Sequence, residues 1–126
     1  MPVLTEPPSM GDVLKYEVNP NYTREVITLL IGTNYPSGAV LGRITASGKY
    51  TLSAATGADG AQVGVAVLLY PVNATLADAV GIVVARGPSI VSRAGLAYEG
   101  TVNDAAKINA KIAQLAAVGI IARDGV

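Results

Sequence analysis

The stretch Val63-Gly64-Val65-Ala66-Val67-Leu68-Leu69-Tyr70 is the most apolar in the chain, and it determines how the rest of the sequence is interpreted. Eight residues are few for a helix, and the β-branched valines in it favour a strand that is buried on both faces. A second apolar stretch, residues 80–86, is predicted to pair with it across the connection formed by residues 71–78. We therefore expect these two strands at the centre of the fold.

Short apolar runs separated by glycine surround this pair and indicate a mainly β module with frequent turns. Further strands are predicted at residues 22–31, 40–44, 50–52, 90–91 and 120–122, and turns at residues 34–38 and 46–49. The small residues at 54–61 are predicted to form a connecting loop, with a simple turn at Asp59-Gly60. No internal repeat or second domain is evident.

One helix is predicted near the C-terminus, at residues 104–118. Its apolar face consists of Ile108, Ile112 and Leu115, and its polar face, expected to be solvated, of Lys107, Lys111 and Gln114. Thr101 followed by Asp104 resembles a capping box, and Gly119 stands where a left-handed C-terminal cap is expected.

The composition favours an oligomer. Hydrophobic residues make up 51% of the chain and charged residues 14%, against roughly 25% charged residues in an average globular chain. So little charge leaves apolar surface that partner subunits are expected to cover. A monomer with a surface rich in alanine and glycine is the alternative.

The charges and the aromatic residues give no indication of a nucleic-acid or membrane partner. Nine acidic and nine basic residues cancel, no run of like charges occurs, and there is no Phe or Trp. The N-terminal residues lack the basic start and apolar run of a signal peptide, and no apolar run has the length of a membrane span. We expect synthesis in a cytoplasm.

No catalytic, cofactor-binding or metal-binding residues are predicted. The chain has no His and no Cys, and its carboxylates are dispersed. The stretch Gly42–Lys49 differs from a phosphate loop in spacing and in the residue after the lysine, so we interpret it as a hairpin. A magnesium-dependent hydrolase would need clustered acids, and a small oligomeric β-rich ligand- or glycan-binding module would need aromatic platforms; both remain as alternatives to a non-catalytic structural module.

Residues 1–21 are predicted to be a flexible arm preceding a β-rich domain at residues 22–126. Four of the seven prolines fall in this segment, and proline removes backbone donors and favours extended geometry. Within it, Leu14, Tyr16 and Val18 alternate as on one face of a strand. The segment is either a floppy terminus or a part that becomes ordered on a partner.

Taken in order, the strand segments resemble the phage head decoration protein family, the trimeric proteins at the three-fold positions of lambda-like capsids. The resemblance covers residues 22–123 and rests on residues 24–29, 38–45, 48–50, 59–68, 70–72, 83–86 and 115–121. Residues 94–100 depart from it, because they lack the tryptophan that some relatives carry.

This resemblance implies a β-clip-like fold, a homotrimer and a location on the outer surface of the virion head. It also implies that the protein binds the major capsid protein of an expanded phage head and stabilises the head against internal DNA pressure. The arm would then add a strand to a sheet edge on the shell. The capsid-binding residues expected in it are Leu14, Tyr16, Val18, Pro20 and Tyr22.

Overall fold

The computed structural model describes residues 13–124, and within them the chain is mainly β with one long helix near the C-terminus. The strands are β1 (Leu14–Glu17), β2 (Arg24–Leu29), β3 (Thr33–Tyr35), β4 (Val40–Arg43), β5 (Tyr50–Leu52), β6 (Ala66–Leu68), β7 (Val72–Ala74), β8 (Ala79–Val84), β9 (Ser89–Ser92) and β10 (Ile120–Arg123). The helices are the single turn α1 (Pro20–Thr23), a 3₁₀ turn (Arg93–Gly95) and α2 (Ala105–Ala117). The predicted mainly β class with one C-terminal helix is confirmed.

Five strands close into a barrel in the order β2-β5-β4-β6-β8. β6 pairs antiparallel with β8 through Val67 opposite Val84 and Leu68 opposite Val83, so the predicted central pair is confirmed. β6 is shorter than predicted, because Gly64 leaves the ladder and donates its N–H to the Gln114 side chain at 2.7 Å.

The barrel wall separates two apolar cores. Side chains alternate across a strand, so Leu68 of β6 points into the barrel while its neighbour Val67 points outward. The inner core consists of Leu29, Tyr35, Ala39, Leu41, Ala66, Leu68, Ala74 and Val83. The outer core joins the barrel to α2 and to the second sheet, and it consists of Val13, Val40, Val67, Leu69, Val84, Val91, Leu96, Leu115 and Ile120. β6 is therefore buried on both faces, as predicted.

The second sheet has the order β1-β9-β10, with β9 antiparallel to β1 and parallel to β10. The strand predicted at residues 90–91 therefore exists but lies outside the barrel. The N–H of Gly87 donates to Val118 O at 2.9 Å, which directs the chain away from β8 and beside β10. A Cβ at Gly87 would lie 1.8 Å from Gly119 O, so only glycine permits this approach.

The helix prediction is confirmed in its position and its end, but not in its cap. Asp104 is the N-cap, since its carboxylate accepts from the N–H of Lys107 at 2.9 Å. Thr101 instead accepts from the N–H of Ala55 at 2.9 Å, so the predicted capping box is wrong. Gly119 ends the helix with a φ of +87°, as predicted.

Of two other local predictions, one is confirmed and one is partly wrong. The hairpin at residues 42–49 is confirmed, because β4 and β5 pair antiparallel with Arg43 opposite Tyr50. The turn predicted at residues 34–38 is partly wrong, since β3 continues to Tyr35 and pairs with β7. Among the helices of residues 13–124, none is long and apolar enough to cross a membrane.

Candidate interaction surfaces

The residues predicted to bind a capsid do not share one face of β1. Leu14 pairs with the buried Val91 and packs against the outer core, whereas Tyr16 pairs with Ile90 on the opposite side of the sheet. The register shifts between Leu14 and Tyr16, and a bulge of this kind changes the face to which the following side chain points. The predicted alternation is therefore wrong at Leu14.

The other four predicted residues lie at the surface. Tyr16, Val18 and Tyr22 are about half-exposed, and Pro20 is exposed at the start of α1. Residues 14–17 of the predicted arm form β1 and so lie in the second sheet. Residues 1–12, the remainder of the predicted arm before Val13, lie outside the described part of the chain.

An apolar row crosses the outer face of the second sheet. Tyr16 of β1 lies opposite Ile90 of β9, which in turn lies opposite Ile121 of β10. Val18 continues the row past the end of β1, where its N–H donates to Pro88 O at 3.0 Å. These four residues, Tyr16, Val18, Ile90 and Ile121, are called the sheet face below.

A second apolar surface lies on the outside of the barrel. On β2 and β8, Val26 is paired with Ile82 and Thr28 with Val80. Val26 is 69% exposed, Val80 66% and Ile82 37%, because the second sheet covers the barrel only as far as Val84. We call these four residues the barrel face. Ion pairs flank it at both ends, Glu25 with Arg86 and Lys49 with Asp78.

A network of charged and hydroxyl groups fixes the chain between β1 and β2. The Glu17 carboxylate accepts from the Arg24 guanidinium at 2.5 and 3.1 Å and from the buried Thr23 hydroxyl at 2.6 Å. The hydrogen bond from Arg24 is the main reason that the pKa of Glu17 lies below its usual value. Asn19 caps α1 by accepting from the N–H of Asn21 at 2.9 Å.

Lys111 of α2 is buried, with 1% of its surface exposed, so the predicted solvated face is wrong at this residue. Its ammonium donates to Ser53 Oγ at 2.8 Å, to Ala54 O at 2.6 Å and to Gln62 O. These acceptors lie on both limbs of the loop at residues 53–64, which the ammonium holds against the helix. Burial lowers the pKa of Lys111, and the negative charge of Glu99 partly offsets this effect.

The spacing of the helix contained the signal for this burial. Ile108, Lys111, Ile112 and Leu115 stand at positions i, i+3, i+4 and i+7, which is one face of a helix. Lys111 therefore falls within the apolar stripe, although its charge suggested the opposite. Lysine stays buried there because its long apolar stem packs along the core while its ammonium reaches polar acceptors.

A cleft of about 590 Å³ lies beside the loop at residues 54–62, and Asp59 is the charged residue that lines it. The Asp59 carboxylate accepts from the N–H of Ala61 at 3.0 Å, which is its role in the predicted turn. No group of three or more acidic residues suited to a metal ion occurs within residues 13–124.

Comparison with known proteins agrees with a structural role. No curated protein matches the chain. A family model described as bacteriophage lambda head decoration protein D matches residues 3–120, which is nearly the whole chain. Because the match extends over nearly the whole chain and the described residues form a mainly β domain, the chain belongs to the family of phage head decoration proteins.

Proposed function

We propose that the protein attaches as a homotrimer to three-fold positions on the outer surface of an expanded phage head and stabilises the head against internal DNA pressure. Its partners are copies of itself and the major capsid protein, and it acts through contact area without catalysis. The observation that carries this proposal is that two separate apolar faces are exposed within residues 13–124. Soluble monomers rarely expose such surface unless a partner covers it.

The barrel face suits contact between copies. Its strands belong to a closed barrel, so a partner meets side chains there instead of a free strand edge. Thr28, Val26, Val80 and Ile82 carry no charge, and the flanking ion pairs contain both signs. An identical, electrically neutral chain can therefore approach this face without facing an excess of like charge.

The sheet face and the neighbouring Pro20 and Tyr22 suit contact with the shell. β1 forms an edge of its sheet and is available for strand addition by the capsid protein. Full burial of a large apolar side chain contributes about 1.5 to 3 kcal/mol, so covering the exposed half of Tyr16 or Val18 contributes roughly 1 kcal/mol each. Such a contact is weak singly, and three copies in one trimer raise its avidity about a hundredfold or more.

The test combines mass in solution with attachment to heads. Light scattering on the purified protein is expected to give three times the chain mass of 12.8 kDa. Co-sedimentation is expected with expanded heads and not with unexpanded ones, and decorated heads should withstand higher temperature before they release DNA. A monomer in solution that ignores expanded heads would refute the proposal.

A further inference from the structure

Residues 17–24, which join β1 to β2, are held at both ends by side chains of the folded domain. We call this segment the corner. At its start, Glu17 pairs with Arg24, and the side chain of Glu17 is only 10% exposed. At its end, the N–H groups of Tyr22 and Thr23 both donate to Asn19 O at 2.9 Å. The corner thus closes on itself through an ion pair and a helical turn.

The barrel holds the corner from a second side. Arg86, which follows β8, donates to Tyr22 O and lies 5.6 Å from the centre of the Tyr22 ring. The N–H of Ala85 donates to Thr23 O at 2.8 Å, which extends the pairing of β2 with β8 into the corner. Thr23 is fully buried, and its hydroxyl lies within hydrogen-bonding distance of two acceptors, the Glu17 carboxylate at 2.6 Å and Asn19 O at 3.0 Å. Contacts from three elements therefore fix the positions of the side chains that the corner exposes.

We propose that residues 16–22 are a preformed contact surface on which the capsid protein docks without this segment having to fold, and that Glu17 and Arg24 are its positioning residues. This inference rests on the proposed function and assigns the partner of one surface. The exposed groups in question are Tyr16, Val18, Pro20 and Tyr22. The sequence alone had assigned Tyr16, Val18 and Pro20 to a flexible arm that ends at residue 21.

With a preformed surface, the affinity for the capsid protein depends on the fraction of molecules in which the corner is closed. A partner that needs the closed corner binds with an apparent Kd equal to the intrinsic Kd divided by the closed fraction. With the ion pair intact that fraction is close to one, so attachment carries no ordering cost for this segment. If Glu17→Gln leaves the corner closed a tenth of the time, the Kd of each copy rises about tenfold.

Hydrogen exchange on the free protein tests whether the surface is preformed. The amides of Val18, Tyr22 and Thr23 are expected to exchange slowly before any head is added, because each is hydrogen-bonded. The amide of Leu69, which donates to Ile82 O in the barrel, serves as the internal reference. Free exchange of the three corner amides beside a protected Leu69 would overturn the inference.

Attachment of a matched pair of variants tests the positioning role. Glu17→Gln is expected to deprotect the corner amides and to raise the Kd for expanded heads about tenfold per copy. Asp104→Asn makes the same carboxylate-to-amide change on α2, at a residue that belongs to neither apolar face. It removes the ion pair with Lys107 but keeps the N-cap, because asparagine caps a helix as well as aspartate does, so both the exchange and the Kd should stay unchanged. Deprotected amides with an unchanged Kd would show that the shell does not use the closed corner.

The outcomes separate this inference from the function on which it rests. If the unmodified protein does not co-sediment with expanded heads, the proposed function is refuted, and the docking role is refuted with it. If the unmodified protein attaches while its corner amides exchange freely, only the preformed surface is refuted. Solution mass and melting temperature are measured for each variant, so a failure to fold is distinguished from a loss of attachment.

Discussion

Replacement of the buried Lys111 by methionine tests how the loop at residues 53–64 is held. The ammonium donates to three close acceptors, Ser53 Oγ, Ala54 O and Gln62 O. Lys111→Met removes these three hydrogen bonds and a longer one to Gln114 Oε1 at 3.4 Å, but it keeps a side chain of similar length, so no large cavity is created. The two carbonyl oxygens are left buried without this donor.

The magnitude follows from two opposing effects. Hydrogen bonds to a charged group contribute about 1.5 to 3 kcal/mol each, so the loss of three costs roughly 5 to 9 kcal/mol. Removing the ammonium from the interior recovers several kcal/mol of desolvation cost, since no salt bridge to Lys111 exists within residues 13–124. We expect a net loss of about 2 to 4 kcal/mol in the free energy of unfolding.

Urea denaturation at neutral pH measures this loss, with Lys107→Met as the control. Lys107 is exposed on the same helix and lies 3.9 Å from Asp104, so its replacement should change the unfolding free energy by less than about 0.5 kcal/mol. Lys111→Met should also shift the Tm downward by roughly 10 °C. A variant as stable as the unmodified protein would refute the reasoning. It would mean that the free-energy cost of burying the ammonium equals the free energy that its hydrogen bonds contribute.

The pH dependence gives an independent check with a definite sign. Burial lowers the pKa of Lys111 in the folded protein below the value of 10.5 expected when it is unfolded. Between these two values the unfolded chain binds more protons, so this residue makes the folded protein more stable as the pH rises. The contribution of Lys111 should therefore increase with pH in that window, and Lys111→Met should lack the increase.

Three further predictions concern the faces, the corner and the barrel. Val26→Asp places a charge on the barrel face and should lower the solution mass, measured by light scattering, to that of a folded monomer. Leu76→Asp, on an exposed loop outside the face, should leave the mass unchanged. Equal masses for the two variants would contradict the assignment of the barrel face to contact between copies. Because the pKa of Glu17 is lowered in the folded protein, its stabilising contribution is present at neutral pH and is lost as the pH falls through the folded-state pKa. The Tm difference between the unmodified protein and Glu17→Gln should therefore shrink on acidification. A Tm difference that stays constant with pH would contradict this. Gly42→Ala should destabilise the fold by at least about 2 kcal/mol in urea, because its Cβ would lie 2.0 Å from Ala61 O, and an unchanged midpoint would contradict the close approach.

Much of the secondary structure follows from local pattern. β4, β5, β8, β10 and α2 lie close to where short apolar runs, glycines and helical spacing predict them. The pairing of β6 with β8 was also predictable, because the two most apolar runs have the strongest tendency to be buried together. β3 and β7 were missed, since three residues are too few to show a period.

The candidate surfaces depended more on tertiary contacts. Tyr16, Val18 and Tyr22 were identified from their apolar character, yet the bulge after Leu14 turned that residue inward and divided the predicted set. The barrel face went unnoticed, because Val26 and Val80 have the character of core residues and only the extent of the second sheet leaves them uncovered.

The amino-acid sequence by itself determined the mainly β character, the single long helix, the lack of histidine and cysteine chemistry, and the shortage of charge for an exposed surface. Propensity, periodicity and composition are local properties, so they can be read from the chain directly. Only the tertiary structure decided that Lys111 is buried, that the corner is fixed and which apolar residues remain exposed. Those outcomes depend on contacts between residues far apart in the sequence, such as Lys111 and Ser53, and only the packing of α2 against the loop at residues 53–64 brings these two together.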